Sequence, residues 1–169
     1  MNRVVLIILI TVAASSLQSC EQSGPDTAAS AKPSPLTAAT LGAQSILTPK
    51  DYLAQDPYSS ADTGRGEALS MQCRACHTLE DGGPGIVGPN LYGLFGRAAG
   101  SNAEYVYSDA LAASDFVWTP RALDAWLAEP FAFLPGNRMT FPGLPDGNDR
   151  NAVIAYLLQQ TSAESGDGA

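Results

Sequence analysis

Length, composition and charge limit what this chain can be. Its 169 residues suffice for one domain with additional segments, because single domains most often contain roughly 100–150 residues. Nine Lys and Arg against seventeen Asp and Glu argue against a nucleic-acid-binding protein, since phosphates require a basic surface. Three cysteines and one histidine indicate neither a disulfide framework nor a four-ligand structural zinc site.

The first twenty residues have the pattern of an export signal. Arg3 precedes an apolar run over residues 4–14, which is short for a membrane span of about 20 apolar residues. The following tetrapeptide LQSC resembles the lipobox of bacterial lipoproteins, in which the signal is cut before the cysteine and the cysteine is acylated. We therefore expect a signal peptide over residues 1–19 and a lipid on Cys20. An ordinary signal peptide or an uncleaved anchor is the alternative.

Residues 20–60 are predicted to form a flexible, lipid-anchored linker. Ala, Pro, Ser, Thr or Gly occupy 24 of the 40 positions from 21 to 60, and no apolar period is sustained. Only residues 46–58 contain enough apolar side chains to rest against a domain. The compact domain is expected over residues 61–162, followed by a disordered tail over residues 163–169.

The compact region has helical patterns and no alternating β pattern. A helix-like stretch runs from Gly66 to Cys73. Thr119-Pro120 supplies an N-cap and a first-turn proline for a second helix. Asp149 is expected to cap a last helix that carries one apolar stripe. The predicted fold class is therefore all-α.

The pentapeptide CRACH, residues 73–77, contains the reactive side chains that can bind a cofactor. Cys73 and Cys76 lie three residues apart on one helical turn, where their thiols can bond the two vinyl groups of a porphyrin. His77 then supplies an imidazole for the iron. A thioredoxin-like redox pair would require a βαβ context, which is absent from the pattern. The motif predicts covalent attachment of one haem.

Counting the remaining side chains narrows the second iron ligand. His77 is the only histidine, so ligation by two histidines is excluded. Met71 precedes the motif in the same predicted helix and is interpreted as a packing residue. Met139 follows Pro135 and Gly136, which are expected to hold the next segment extended. Met139 is therefore the predicted second ligand, and His/Met ligation raises the reduction potential.

From about residue 61 to residue 161 the chain resembles class I c-type cytochromes of the mitochondrial cytochrome c and bacterial cytochrome c2 type. The matching runs, in order, are CRACHTLEDGG, VGPNLYGLFGR, YSDA, the Trp118 region, EPFAFLPGNRMTF and VIAYL. The resemblance implies helices wrapped around one covalently bound haem. It also implies that the first and last helices cross where Gly66 and Tyr156 meet.

The resemblance also implies roles for individual residues. Cys73 and Cys76 would form thioether bonds, and His77 and Met139 would bind the iron. The carbonyl of Pro89 would accept a hydrogen bond from the histidine ring and orient it. Hydrogen bonds to the haem propionates would come from Arg97, Tyr107, Ser108 and Trp118.

Some positions depart from the family pattern. The tyrosine that reaches the methionine sulfur is replaced by Trp126, whose indole N–H can donate from a different position. Asn137 replaces a threonine that meets a propionate. Lysines around the haem edge are also missing, since Gln72 and Phe131-Ala132 occupy such positions. The partner is therefore not expected to present an acidic face, and Phe131 and Phe133 suggest an apolar contact.

These expectations describe a monomeric electron shuttle tethered on the periplasmic side of a bacterial membrane. It would carry one electron at a time between a membrane reductase and an oxidase or dehydrogenase, in a respiratory or photosynthetic chain. It would not be an enzyme. Two alternatives stay open: a haem domain with a labile Met139 that binds ligands or reduces peroxide, and a dedicated electron-accepting subunit of one dehydrogenase.

Overall fold

A computed structural model describes residues 35–162. The predicted signal peptide over residues 1–19, the predicted lipid on Cys20 and the predicted tail over residues 163–169 lie outside the described residues. The prediction of a linker over residues 20–60 is covered only from residue 35 onward.

The described chain is helical, and the prediction of an all-α fold is confirmed. Across residues 35–162 the only β pairing is an isolated antiparallel bridge between Ala98 and Val117. A short 3-10 turn, Ala38–Thr40, precedes six α-helices. They are α1 Pro49–Leu53, α2 Thr63–Arg74, α3 Asp109–Ala112, α4 Pro120–Ala128, α5 Pro130–Phe133 and α6 Gly147–Gln160.

Helix α2 crosses the last helix, α6, at Gly66. A Cβ atom on Gly66 would lie 2.6 Å from the carbonyl carbon of Ala152 and 3.0 Å from Cβ of Tyr156. Only glycine lets the two backbones come this close. The side chain of Asp62 caps α2 by accepting from the amide of Arg65 at 2.9 Å. The crossing implied at the sequence level is therefore present.

The two caps predicted from the sequence, at Thr119 and Asp149, have different outcomes. Thr119 caps α4 as expected, accepting from the amide of Ala122. The last helix, however, begins earlier than predicted: Asp146, not Asp149, accepts from the first-turn amides of α6. Asp149 lies inside the helix and forms a bidentate ion pair with Arg65 of α2, which lowers the pKa of Asp149. This acidic side chain therefore joins the two crossing helices.

Residues 35–60 differ from the linker prediction, because this N-terminal segment packs against the domain. Leu41 is 1% exposed and belongs to the hydrophobic core. Its carbonyl accepts from the guanidinium of Arg121 at 2.7 Å, and Gln44 donates to the carbonyl of Val117 at 3.1 Å. Composition does not predict this packing, because one buried leucine and a few long-range hydrogen bonds are enough to hold the segment against the domain.

An aromatic cluster occupies the core beside α4 and α5. The rings of Phe116, Trp118, Trp126 and Phe133 pack edge to face, with centroids 4.9–5.9 Å apart. Phe133 is 1% exposed, so the expectation that it forms a surface contact is wrong; Phe131 alone is exposed. None of the helices within residues 35–162 combines the length and the hydrophobicity that a membrane span requires.

Candidate functional site

One cleft of about 380 Å³ collects the predicted site residues. This volume lies within the roughly 300–1,000 Å³ range of cofactor sites. Its lining is predominantly apolar. All ten site residues predicted within the described chain line it: Cys73, Cys76, His77, Pro89, Arg97, Tyr107, Ser108, Trp118, Trp126 and Met139.

The histidine segment, residues 73–90, forms one side of the site and is held by its own polar groups. The amide of Gly88 donates to the carbonyl of Cys76 at 2.7 Å. Thr78 donates to the carbonyl of Pro84 at 2.7 Å, and the amide side chain of Asn90 donates to the hydroxyl of Thr78 at 2.7 Å. These bonds fold the glycine-rich loop back onto the end of α2, so that the motif and the Pro89 carbonyl come together.

His77 is fixed in both orientation and protonation state. Its Nδ1 lies 2.7 Å from the carbonyl oxygen of Pro89. Because a carbonyl only accepts, Nδ1 carries the proton and Nε2 is left with a lone pair. Burial lowers the pKa of His77, and the hydrogen bond to Pro89 offsets part of this effect. The ring is therefore neutral near pH 7, the form in which imidazole binds metals.

Gly88 allows this ring to lie against the loop. A Cβ atom at that position would lie 2.7 Å from Nδ1 of His77 and 2.8 Å from Nε2. Any side chain there would displace the imidazole.

Both motif thiols, those of Cys73 and Cys76, are free of disulfides. Burial raises the pKa of Cys73 to about 11.

The methionine segment, residues 126–141, holds Met139 with side chains. The indole N–H of Trp126 donates to Sδ of Met139 at 3.2 Å. The buried side chain of Asn137 donates to the carbonyls of Pro130 at 2.9 Å and Leu134 at 2.8 Å, and its oxygen accepts from the amide of Met139 at 2.9 Å. Asn137 therefore shapes the turn before Met139. The sequence marked Asn137 only as a departure, because no motif reveals bonds to a neighbouring backbone.

The residues expected to meet propionates line the same cleft but have different partners in the protein. The guanidinium of Arg97 donates to the carbonyls of Tyr92 and Asn90 at 3.1 and 3.0 Å, and burial lowers its pKa. The hydroxyl of Ser108 caps α3, although its own hydrogen stays free to donate. Burial raises the pKa of Tyr107, while Arg97 opposes the shift.

The donor set fits a covalently attached haem. The cleft contains two thiols for thioether bonds, a neutral imidazole and a thioether sulfur, the axial pair of cytochromes c. Met71, in contrast, is 60% exposed and is not among the lining residues. Of the two methionines in the described chain, Met139 is therefore the one available in the cleft.

No protein-family model matches the chain. Curated proteins do. The chain is 38% identical to a protein named cytochrome c from Kluyveromyces lactis over 104 residues, 61% of this chain and 94% of that protein. It is 37% identical to cytochrome c2 from Agrobacterium tumefaciens, covering 61% of this chain and 96% of the relative. It is 40% identical to cytochrome c-type cyt cy from Rhodobacter capsulatus, covering 64% of this chain and 55% of that protein.

Proposed function

The chain belongs to the cytochrome c family, and we propose that it is a membrane-tethered electron carrier on the periplasmic side of a bacterial cell envelope. It has the class I cytochrome c fold and carries one covalently attached haem c. It is an electron-transfer protein and not an enzyme. The observation that best supports electron transfer is the cleft that contains the motif cysteines, His77 and Met139.

The motif residues and Met139 would hold the cofactor. Cys73 and Cys76 would form the two thioether bonds, and Nε2 of His77 and Sδ of Met139 would bind the iron. Haem bound in this way supplies a reversible one-electron Fe(III)/Fe(II) couple. The side chains of the cleft would bind and orient the haem. Because the lining is mostly apolar, it would also keep water away from the iron.

Hydrogen bonds from the chain keep both ligands ready to bind. The Pro89 carbonyl fixes the tautomer of His77 and makes the ring a better donor to a metal. Trp126 and Asn137 hold the sulfur and the backbone amide of Met139. A methionine restrained in this way would stay bound to the iron and leave no open position for a substrate. This restraint argues against the ligand-binding alternative.

Arg97, Tyr107, Ser108 and Trp118 would bind the propionates. Burying a carboxylate costs several kcal/mol unless it is paired. The half-buried Arg97 supplies the positive charge, while Tyr107 and Ser108 supply hydroxyl donors and Trp118 an indole N–H. In this arrangement two acidic groups can enter a mostly apolar cleft.

Replacement of Met139 by alanine tests the assignment of the iron ligands. Met139→Ala should abolish the sulfur-to-iron charge-transfer absorption of the ferric protein, while haem remains covalently bound by mass spectrometry. Met71→Ala is the matched control and should leave the band unchanged, because Met71 lies outside the cleft. A band that persists in Met139→Ala would show that another group binds the iron.

The tether is inferred from the sequence LQSC that ends at Cys20. A lipid on Cys20 would keep the carrier close to membrane partners and raise its effective concentration near them. Cys20→Ser should release the protein from washed membranes, as judged by fractionation and haem staining. If Cys20→Ser stays on the membrane, the anchor is an uncleaved N-terminal segment and not a lipid on Cys20.

A further inference from the structure

Exposed aliphatic side chains are concentrated at one edge of the cleft. Across residues 35–162, Val106 and Val87 are the most exposed large apolar residues, at 82% and 71%. Ile86, beside Val87, is 52% exposed. Ile86, Val87 and Val106 are called the apolar rim below. Single exposed aliphatic residues are ordinary, but a group of them at the mouth of a functional site indicates an interaction surface.

Two hydrogen bonds tie the backbone of the rim to residues at the cleft. The hydroxyl of Tyr105 donates to the carbonyl of Val87 at 2.9 Å, and Tyr105 and Val87 both line the cleft. The guanidinium of Arg138 donates to the carbonyl of Val106. These bonds join the loop before Pro89 to residues 105–107 and to the residue before Met139. The rim is therefore fixed before any partner arrives, which reduces the entropic cost of docking.

The charges near the rim do not favour an acidic partner. Arg138 is the basic side chain that touches the rim, and its guanidinium is bonded to the Val106 carbonyl. The only lysines after Cys20 are Lys32 and Lys50, and Lys50 lies on α1. The whole chain carries a net charge of -8, so an acidic docking face would be repelled.

We propose that the apolar rim docks a redox partner whose own docking face is uncharged and apolar. The inference rests on the proposed electron-carrier function and names the chemistry of the partner of that same site. Docking on the rim brings the partner against the mouth of the cleft that holds the couple. Since apolar contacts are insensitive to salt, encounter and exchange should persist at high ionic strength.

Voltammetry on chemically defined surfaces tests this docking chemistry. The mature haem-loaded chain, residues 20–169, would be applied to gold electrodes coated with methyl-terminated, carboxylate-terminated or amine-terminated monolayers. Cys20→Ser would be present in every sample, so that a lipid cannot contribute to adsorption. The protein should give its electroactive signal mainly on the methyl surface. The signal should persist at about 1 M salt, where the Debye length is roughly 3 Å.

Matched double variants show whether the rim is responsible. Ile86→Asn with Val106→Asn should lower the electroactive coverage on methyl surfaces by about five-fold or more, as expected for removal of a contact centre. Ile46→Asn with Leu47→Asn changes two exposed aliphatic residues of the N-terminal segment and should keep the coverage within about two-fold. Equal losses in both double variants, or preferential adsorption on carboxylate or amine surfaces, would overturn the proposal.

A solution measurement separates this proposal from the proposed function. Each variant should keep the visible spectra and the reversible one-electron reduction of the unsubstituted protein, because neither Ile86 nor Val106 lines the cleft. Loss of reversible reduction in the unsubstituted protein would contradict the electron-carrier function itself. Normal reduction with rim variants that adsorb as well as the parent would contradict only the docking surface.

Discussion

The histidine segment holds its ligand with backbone groups, whereas the methionine segment holds its sulfur with side chains. Around His77 the partners are the Pro89 carbonyl and the bare backbone of Gly88. Around Met139 they are an indole N–H and a buried carboxamide. A backbone cradle tolerates almost no added volume, while side-chain donors can be removed one at a time. The two ligands should therefore respond differently to substitution.

Added volume in the histidine segment should have the largest effect. Gly88→Ala places a Cβ 2.7 Å from Nδ1 of His77 and should cost about 3 kcal/mol or more of unfolding free energy. Denaturant unfolding and haem content per chain would measure the loss. Gly85→Ala is the control, because a Cβ there meets the Gly88 carbonyl at an ordinary 3.6 Å. Equal stability of the two variants would show that the close contact between Gly88 and the His77 ring does not position the ring.

A substitution outside both segments gives the reference for a purely structural loss. Leu41→Ala empties a core position in the N-terminal segment and should cost about 3 kcal/mol, with the charge-transfer band unchanged in the folded protein. Leu47→Ala, at a partly exposed position of the same segment, should cost less than about 1 kcal/mol. Equal thermal and denaturant stability of the two variants would mean that the segment does not belong to the fold.

Removing the carboxamide from the methionine segment should cost less stability but disturb the sulfur. Asn137→Ala leaves two carbonyls and the Met139 amide without their partner and should cost about 2 kcal/mol. The charge-transfer band should weaken at a temperature well below global unfolding. Asn148→Ala, on the exposed first turn of α6, is the control. A band as heat-stable as in the parent would show that the turn before Met139 keeps its structure without the Asn137 hydrogen bonds.

The smallest effect is expected from the indole. Trp126→Phe keeps an aromatic ring in the cluster with Trp118 and Phe133 but removes the N–H donor to Sδ of Met139, at a cost of about 1 kcal/mol. The ferric protein should lose its methionine ligand to added imidazole more readily. Unchanged imidazole affinity in Trp126→Phe would mean that the hydrogen bond does not restrain the sulfur.

Local signals explain which parts could be predicted from the sequence. Neighbouring residues were enough to predict the CRACH motif and the Thr119-Pro120 cap, and counting was enough to select Met139. In the structure the motif and Met139 line the same cleft. The start of α6 was misplaced because Asp146 and Asp149 both suit an N-cap. In the structure Asp149 pairs instead with Arg65 of α2, which is distant in sequence.

Long-range packing explains what was missed. Composition indicated a linker over residues 20–60, although Leu41 is buried and Gln44 reaches the backbone at Val117. The bonds of Asn137 to the Pro130 and Leu134 carbonyls depend on the turn that follows α5. A polar side chain bonded to the backbone has no fixed sequence pattern, so only the fold reveals its role.

Carbon monoxide binding to the reduced, unsubstituted protein tests the central claim most directly. If His77 and Met139 both bind the iron, the visible spectrum of the ferrous protein should not change when carbon monoxide is added at pH 7. Met139→Ala should bind the gas under the same conditions. Rapid binding by the unsubstituted protein would show an open iron position, and it would contradict a closed electron carrier in favour of a ligand-binding haem protein.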